Sequence, residues 1–326
     1  MATRDCKFLI IGGGPAGLTS AINAASEGLS PVLIDSGPRV GGQARQSSLI
    51  ENYAGFPEGI SGPDLLDRFC RQAAKFATRV QCPAKARTLR IDGARKIITT
   101  DDEEFAAKTV LLSIGLSYMR LKAPGMLELL GKGLEYGAPL IDPTTYGKSR
   151  ICIVGGANSA GQAAMHFSQN PDAHVHLIAR SPLEDKMSQY LVDRIRGCAN
   201  ITVHEGAEVS EVHGTEKLTG VSLKFKDGAA SSLDADNMFI FIGAAPKVDW
   251  LNGTVGMDAK HFILTGPKLV DTNHWPITRQ PYPFETTVPG VFACGDVRLG
   301  SVKRVAAAAG EGSAVVPIIH EYLRHE

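Results

Sequence analysis

The stretch Phe8-Leu9-Ile10-Ile11-Gly12-Gly13-Gly14-Pro15-Ala16-Gly17 decides how this chain folds. Its apolar start predicts a buried strand, and its glycines predict a tight turn into a helix. A second strand at residues 31–34 then ends at Asp35. Backbone N–H groups at such a helix start bind a pyrophosphate, and an acid about 20 residues farther on accepts hydrogen bonds from a ribose. The segment therefore predicts a βαβ unit that binds a dinucleotide.

A second glycine turn, Gly155-Gly156-Ala157-Asn158-Ser159-Ala160, follows another apolar strand and opens a second βαβ unit. Two such turns in one chain indicate two dinucleotides and electron transfer between them. The chain then returns to a strand that ends in Gly295-Asp296 and to an alanine-rich helix from about Arg304. We therefore predict an α/β fold of two three-layer Rossmann-like nucleotide-binding domains, the second inserted in the first. Their predicted bounds are residues 1–116 with 245–326, and residues 117–244.

Composition and spacing argue against several other classes of protein. Lys+Arg and Asp+Glu both number 34, so no basic surplus indicates nucleic acid or an anionic membrane as a partner. The apolar stretch at the start is too short for a signal or membrane segment. His174 and His176 alternate on one strand without a third ligand visible in the sequence, so we predict no metal site.

The cysteines predict a reducing compartment. None forms a Cys-x-x-Cys pair or has metal-ligand spacing. Two of them lie in apolar strand patterns, as buried thiols do, and the sequence therefore predicts a cytoplasmic protein. The six positions are Cys6, Cys70, Cys82, Cys152, Cys198 and Cys294.

Taken in order, the motifs resemble those of the low-molecular-weight thioredoxin reductase family. They are the two glycine turns, Gly41-Gly42-Gln43, Glu51-Asn52-Tyr53 and Val291-Phe292-Ala293-Cys294-Gly295-Asp296. The resemblance covers essentially the whole chain. It implies an FAD flavoprotein and a homodimer, in which residues 1–116 and 245–326 form the FAD-binding domain and residues 117–244 an NAD(P)-binding-like domain.

The resemblance also implies residues for the FAD site. The first turn would hold the pyrophosphate, Asp35 the adenosine ribose and Asp296 the ribitol chain. Arg304 would open the last helix under the flavin ring, where helix amides stabilise negative charge, although a surface ion pair is the alternative for Arg304. The FAD residues predicted in this way are Gly12, Gly14, Pro15, Ala16, Gly17, Asp35, Ser36, Gly42, Gln43, Asn52, Gly115, Gly295, Asp296, Arg304, Val305 and Ala306.

The second turn would hold NADPH, with two departures from the family. Ala157 replaces the glycine that lets the backbone approach a pyrophosphate, and its Cβ crowds that approach. Of the family's His-Arg-Arg cluster after the next strand, only Arg180 remains, between Ala179 and Ser181. With that arginine present and no carboxylate at the strand end, NADPH is favoured over NADH. The predicted NADPH residues are Gly155, Gly156, Asn158, Ser159, Ala160 and Arg180.

The redox dithiol of the family is missing from the sequence. Counted back without gaps from Gly155, its two thiol positions fall on Ala138 and Ile141, and a one-residue shift would put Gly137 at the first of them. Either alignment leaves the site empty, because no cysteine lies between Cys82 and Cys152. Disulfide exchange requires a thiolate, so we do not expect thioredoxin reduction. Asp142 has two interpretations, an acid retained from the family and the start of an Asp-Pro turn, of which the turn is favoured.

The sequence therefore predicts an FAD-dependent oxidoreductase that passes electrons from NADPH through FAD to an unidentified acceptor, either a small molecule or a redox protein. Two alternatives stay open. One is a flavin-binding sensor or regulatory protein that has lost turnover. The other is a flavoenzyme that uses a non-pyridine donor such as ferredoxin.

Overall fold

The computed structural model describes residues 2–47, 50, 52–137, 142–272 and 275–325. The chain forms two compact units, one comprising Met1–Ser117 with Ala245–Glu326 and the other Tyr118–Ala244. Each helix in the described part of the chain is too short or too polar to serve as a membrane span. The predicted thiol positions Ala138 and Ile141 lie outside the described residues.

The elements follow one another in two blocks and a return. The chain up to the first crossing contains β1 (Ala2–Ile11), α1 (Pro15–Ser26), β2 (Pro31–Ile34), α2 (Gly62–Lys75), β3 (Arg79–Gln81), β4 (Thr88–Asp92), β5 (Arg95–Thr99), β6 (Glu103–Leu112) and β7 (Ser117–Tyr118). The next block contains α3 (Met126–Leu129), β8 (Leu134–Tyr136), β9 (Arg150–Val154), α4 (Asn158–Phe167), β10 (His174–Ala179), α5 (Gln189–Arg196), β11 (Ile201–Glu205), β12 (Ala207–Gly214), β13 (Leu218–Phe225), β14 (Ala230–Asp234), β15 (Asn237–Ile240) and β16 (Ala244–Ala245). The return consists of β17 (Val291–Ala293) and α6 (Val305–His325).

The main sheet of the first unit has the order β3-β2-β1-β6-β5-β4. β1 lies parallel to both β2 and β6, with Ile11 opposite Ile34 and Leu112, so these three strands end at the same edge. β17 also pairs parallel with β6, beyond the stretch of β6 that pairs antiparallel with β5. On the side away from β1, β6 is therefore flanked by β5 along its first half and by β17 along its last three residues.

The core of the first unit lies on both faces of this sheet. Phe8 and Ile10 point toward a cluster that also contains buried residues of α1, α2 and α6, while Leu9 and Ile11 point into a second cluster on the opposite face. Because both faces are covered at the centre of the sheet, residues 8–11 of β1, all of β2 and residues 110–112 of β6 are apolar throughout rather than alternating. Full burial of one such side chain contributes about 1.5–3 kcal/mol.

The second unit repeats the plan with a five-stranded parallel sheet in the order β11-β10-β9-β15-β8. Helices α4 and α5 cover one face, where Ile153 and Phe167 belong to one buried cluster. The antiparallel sheet β12-β13-β14 covers the other face, where Val154 clusters with Val209. The glycine turn after β9 thus lies at the carboxyl edge of this sheet, where α/β proteins bind their ligands.

Candidate nucleotide sites

The first glycine turn uses its three key glycines for three different purposes. Gly12 has a φ of +103°, and a Cβ on it would collide with the carbonyl of Ser113. A Cβ on Gly17 would collide with the carbonyl of Gly12, so α1 can approach the strand only with glycine there. A Cβ on Gly14 would meet nothing within 4 Å. The turn is therefore packed by protein at Gly12 and Gly17 and open at Gly14.

The open side of Gly14 faces an anion-binding surface. Gly14 is the N-cap of α1 and no side chain caps this helix start. The first-turn amides of Ala16 and Gly17 therefore lack an acceptor within the helix, and they carry the positive end of its dipole. Gly42 lies against the same place, since a Cβ on it would be 3.3 Å from the Cα of Gly14. A phosphate group matches this opening in charge and hydrogen bonding.

Asp35 fastens the turn from the end of β2. Its carboxylate accepts the N–H of Gly13 at 2.5 Å and the N–H of Gly37 at 2.7 Å, one on each oxygen. A carboxylate has about four acceptor positions, so further hydrogen bonds from a ribose remain possible. Asp35 thus holds the backbone of the turn in addition to the ribose role that the sequence predicts.

Most of the other predicted FAD residues before β7 lie in loops, whereas Gln43 lies in the 3-10 helix Gly42–Gln46. Ser36, Gln43 and Asn52 are exposed. Gly115 has a φ of +59° with open space around it. These four positions are thus accessible, and none of them packs against the first glycine turn.

The Gly295-Asp296 turn lies beside the starts of α1 and α6. A Cβ on Gly295 would be 3.2 Å from the Cβ of Ala16 and 3.6 Å from that of Ala308. The Asp296 carboxylate is half-buried, and within the described residues it accepts no hydrogen bond. Burial raises the pKa of Asp296, whereas the nearby Lys303 ammonium acts against this shift. A half-buried acceptor without a donor is poised for a hydroxyl supplied by a ligand.

The last helix begins one residue later than predicted. α6 starts at Val305, and its first turn is not acidic. Arg304 is exposed just before it and forms no ion pair with any residue that the structure describes, so the surface-pair alternative has no partner there. The free amides of Val305 and Ala306 form the positive end of a 21-residue helix.

Three charged residues around this turn were missed by the sequence reasoning. Glu311 of α6 accepts the N–H of Gly295 at 2.7 Å and pairs with the guanidinium of Arg298. The Lys303 ammonium donates to the carbonyl of Asp296 at 2.7 Å and to the hydroxyl of Ser301 at 2.7 Å. The sequence indicates this cluster only weakly, because Glu311 is a single acid in an otherwise alanine-rich part of the helix.

The residues around the first turn fit FAD. A pyrophosphate would bind in the opening at Gly14, which a Cβ on that residue would occupy. A ribitol hydroxyl would bind to the Asp296 carboxylate, which lacks a hydrogen-bond donor among the described residues. Neither place is explained by packing within the described chain.

The second glycine turn borders a cavity of about 570 Å³ within the second unit. This volume is ordinary for a site that binds a cofactor-sized ligand. The cavity opens at the carboxyl ends of β9 and β10 and extends to the segment that follows β7. Its lining residues include Tyr118, Arg120, Lys122, Gly155, Gly156, Ala157, Ser159, Arg180, Ser181, Lys186, Glu208 and Gly243.

Cations dominate the charge of this cavity. Arg120, Lys122, Arg180 and Lys186 line it together with a single carboxylate, that of Glu208. The guanidinium of Arg180 lies 3.9 Å from the Glu208 carboxylate, and both side chains are largely exposed. Such an exposed pair is weak, so Arg180 remains available to an anion. The sequence predicted only Arg180 among the four cations.

Two predicted NADPH residues do not line the cavity. The Asn158 side chain instead accepts the N–H of Ser188 at 2.8 Å and donates to its hydroxyl at 3.1 Å. Ala160 is buried against Gly155. Asn158 and Ala160 thus shape the turn and the neighbouring helix start, whereas Gly155, Gly156, Ser159 and Arg180 border the cavity.

Ala157 occupies the place that Gly14 has in the first turn. Each is the N-cap of the helix that follows, with extended backbone and no side-chain cap. The difference is the Cβ of Ala157, which borders the cavity. The crowding predicted from the sequence therefore falls on the wall of the candidate nucleotide site.

Asp142 caps a short 3-10 turn at Pro143–Tyr146. Its carboxylate accepts the N–H of Thr144 at 2.9 Å and its hydroxyl at 2.7 Å. These bonds lower the pKa of Asp142, the backbone N–H contributing most. A carboxyl group held ionised in this way is a poor proton donor at neutral pH.

A third histidine joins His174 and His176, contrary to the view from the sequence alone. His204 on β11 lies beside β10, with its Nε2 3.1 Å from Nδ1 of His176. Burial, followed by the charges of His174 and His204, lowers the pKa of His176 to about 4. Among the described residues, however, no cluster of His, Cys, Asp or Glu side chains is arranged to hold a metal ion.

Comparison with known proteins extends over both units. The model of the family described as "Pyridine nucleotide-disulphide oxidoreductase" matches residues 6–312. The chain is 32% identical over 307 residues to a thioredoxin reductase of Mycolicibacterium smegmatis, covering 94% of this chain and 93% of that protein. It is 30% identical over 324 residues to the NADPH-dependent thioredoxin reductase 3 of Arabidopsis thaliana, covering 97% of this chain but 58% of that protein.

The solved thioredoxin reductase of T. acidophilum is similar in structure, with a TM-score of 0.76, 28% sequence identity and 99% of each chain covered. This match confirms the predicted α/β fold with two Rossmann-like domains.

Proposed function

Because the chain belongs to the pyridine nucleotide-disulphide oxidoreductase family, we propose that it passes electrons from NADPH through FAD to an acceptor without a redox dithiol. The observation that carries this proposal is the presence of two glycine turns, each at the carboxyl ends of parallel strands in its own sheet. The thioredoxin reductases that the chain resembles use FAD and NADPH. On that resemblance we also propose a homodimer.

FAD is assigned to the first unit. The amides at the start of α1 would bind its pyrophosphate past Gly14, and Asp296 would accept a ribitol hydroxyl. FAD supplies the redox chemistry when bound, and the chain supplies position and charge. The amide end of α6 would favour negative charge on the bound group.

NADPH is assigned to the cavity of the second unit. Its 2′-phosphate adds negative charge that NADH lacks, and four cations line the cavity against one carboxylate. Arg180 and Lys186 border the cavity on the side after β10, and Arg120 and Lys122 on the side of the first crossing. The cavity thus has cations for two separated phosphate groups, as NADPH requires.

NADPH is expected to reduce the bound flavin faster than NADH does. Arg180→Ala removes a charge-assisted bond to the 2′-phosphate, for which we expect a loss of about 1.5–3 kcal/mol, or roughly ten- to a hundredfold in KM for NADPH. The KM for NADH should change little. Anaerobic stopped-flow absorbance with both nucleotides measures this, and Arg196→Ala, on α5 and outside the cavity, is the matched control. Negligible flavin reduction by either nucleotide would remove NADPH from the proposal.

Ala157→Gly is expected to strengthen NADPH binding. It removes the Cβ at the cavity wall and gives the second turn the same residue as Gly14. The extended backbone at position 157 suits glycine without strain. We expect the Kd for NADPH to fall about tenfold or more, since a hydrogen bond between a backbone N–H and a charged phosphate contributes about 1.5–3 kcal/mol. Isothermal titration calorimetry of the variant and of the wild type measures the Kd for NADPH. An unchanged or weaker affinity in the variant contradicts the assignment of the NADPH pyrophosphate to the second turn.

The presence of Ala157 in place of glycine also favours a second candidate function, in which no pyridine nucleotide reduces the flavin. If its Cβ excludes a pyridine nucleotide, the chain would act as a flavin-binding sensor or accept electrons from a donor such as ferredoxin. The stopped-flow experiment separates these functions, because the sensor and the ferredoxin-dependent enzyme both predict a bound flavin that neither NADPH nor NADH reduces.

A further inference from the structure

We propose that Lys303 is a positioning residue for FAD, whose ammonium anchors the backbone of Asp296 and so presents the free Asp296 carboxylate to the ribitol chain. The inference rests on the proposed function, since it presumes that FAD binds in the first unit. It concerns a residue that neither the glycine motifs nor the comparisons indicate.

The Gly295-Asp296 turn is fixed from both of its ends. On one side the Glu311 carboxylate accepts the N–H of Gly295 at 2.7 Å. On the other side the Lys303 ammonium donates to the Asp296 carbonyl at 2.7 Å. Backbone groups on either side of the Asp296 side chain are thus held, while its carboxylate takes part in no hydrogen bond with the residues described.

Lys303 is itself held in place. Its ammonium also donates to the Ser301 hydroxyl at 2.7 Å and lies 4.5 Å from the ring centroid of Phe262. Three contacts of this kind restrict a side chain that otherwise has large rotamer freedom. Lys303 and the neighbouring Arg304 are both exposed, but Arg304 forms no ion pair with any residue that the structure describes.

The charges around Asp296 explain why a cation is needed. Burial raises the pKa of Asp296, the Lys303 ammonium lowers it, and the charge of Glu311 on α6 adds to the increase. The positive charge of Arg298 is shared with Glu311, and the Cys294 thiol is buried, with its pKa raised by burial. Lys303 is therefore the cation that favours an ionised Asp296, the form that accepts hydrogen bonds most strongly.

The direction of the pH effect follows from these charges. FAD affinity should fall as the pH drops through the pKa of Asp296, because the protonated carboxyl is a weaker acceptor. Without Lys303 this pKa rises further, so affinity is lost at a higher pH.

The test is to titrate the apo-protein with FAD at several pH values and to monitor binding by the quenching of flavin fluorescence. Lys303→Met should weaken FAD binding at pH 7 by about tenfold, since it removes a charge-assisted hydrogen bond to the Asp296 carbonyl. It should also shift the acid limb of the affinity profile to higher pH. Lys303→Arg should restore both properties in large part, and Lys260→Met, an exposed lysine of the same unit, is the matched control.

Asp296→Asn separates the two effects, because it removes the titrating carboxyl. Its profile should lack the acid limb, and adding Lys303→Met should not bring the limb back. If Lys303→Met does not fold, Lys303→Gln keeps a donor without the charge and should still shift the limb.

The outcomes of the test distinguish the two proposals. Wild-type protein that binds no FAD overturns the proposed function. FAD binding by Lys303→Met with the affinity and pH profile of the wild type overturns the role of Lys303 alone.

Discussion

Gly14→Val is expected to abolish FAD binding and to leave the protein folded. Gly14 has φ −74° and ψ −172°, which any residue adopts, and a Cβ there would meet no protein atom within 4 Å. The valine side chain would instead fill the space in front of the free amides of α1. The loss of two bonds between amides and phosphate, each about 1.5–3 kcal/mol, weakens FAD binding at least roughly a hundredfold.

The measurement is flavin absorbance per chain after purification, followed by FAD titration of the apo-protein. Thermal unfolding of both apo-proteins shows whether the fold survives. Gly310→Val is the matched control, because Gly310 also has open space and is exposed on α6. Full FAD occupancy in Gly14→Val would show that the pyrophosphate does not lie over this turn.

The glycine turns could be predicted because their signal is local. Strand, turn and helix follow within ten residues, and the steric need for glycine at positions 12 and 17 arises from the same segment and its neighbouring strand. Asp35, the acid at the end of β2, could be predicted for the same reason, because its separation in sequence from the glycine turn is set within one βαβ unit. The structure adds that Asp35 bonds to the turn itself, which a spacing rule does not include.

The charged residues around both sites could not be predicted, because tertiary folding brings them together. Lys122 and Lys186 are far apart in sequence, yet they line one cavity. His204 reaches His176 only because β11 pairs with β10. Neither pairing leaves a periodic pattern or a motif, so these contacts follow from the order of strands in the sheet rather than from any local stretch.

The protein is expected not to reduce thioredoxin with NADPH, even if its flavin is reduced rapidly. The chain has no Cys-x-x-Cys sequence, and alanine and isoleucine stand at positions 138 and 141, where the resemblance predicts the family's thiols. Electrons on FAD would therefore have no dithiol through which to enter a protein disulfide.

The native cysteines are poor substitutes for that dithiol. Burial raises the pKa of Cys6 and of Cys152 to about 12, and it also raises the pKa of Cys70 and Cys294. A thiolate is the attacking form, so these four thiols are almost entirely unreactive at pH 7. Cys82 is exposed and Cys198 is partly exposed. These two thiols lie far apart in sequence and form no Cys-x-x-Cys pair.

The assay is NADPH oxidation coupled to thioredoxin and a disulfide substrate, with a dithiol-containing thioredoxin reductase as the positive control. We expect turnover at least about a thousandfold below that control, since removal of the group that forms the covalent intermediate costs on the order of 10³-fold or more. Flavin reduction measured in the same preparation should persist after all accessible cysteines are alkylated. Robust thioredoxin turnover that disappears on alkylation would instead show that two native cysteines relay the electrons, and the proposed route without a dithiol would then be wrong.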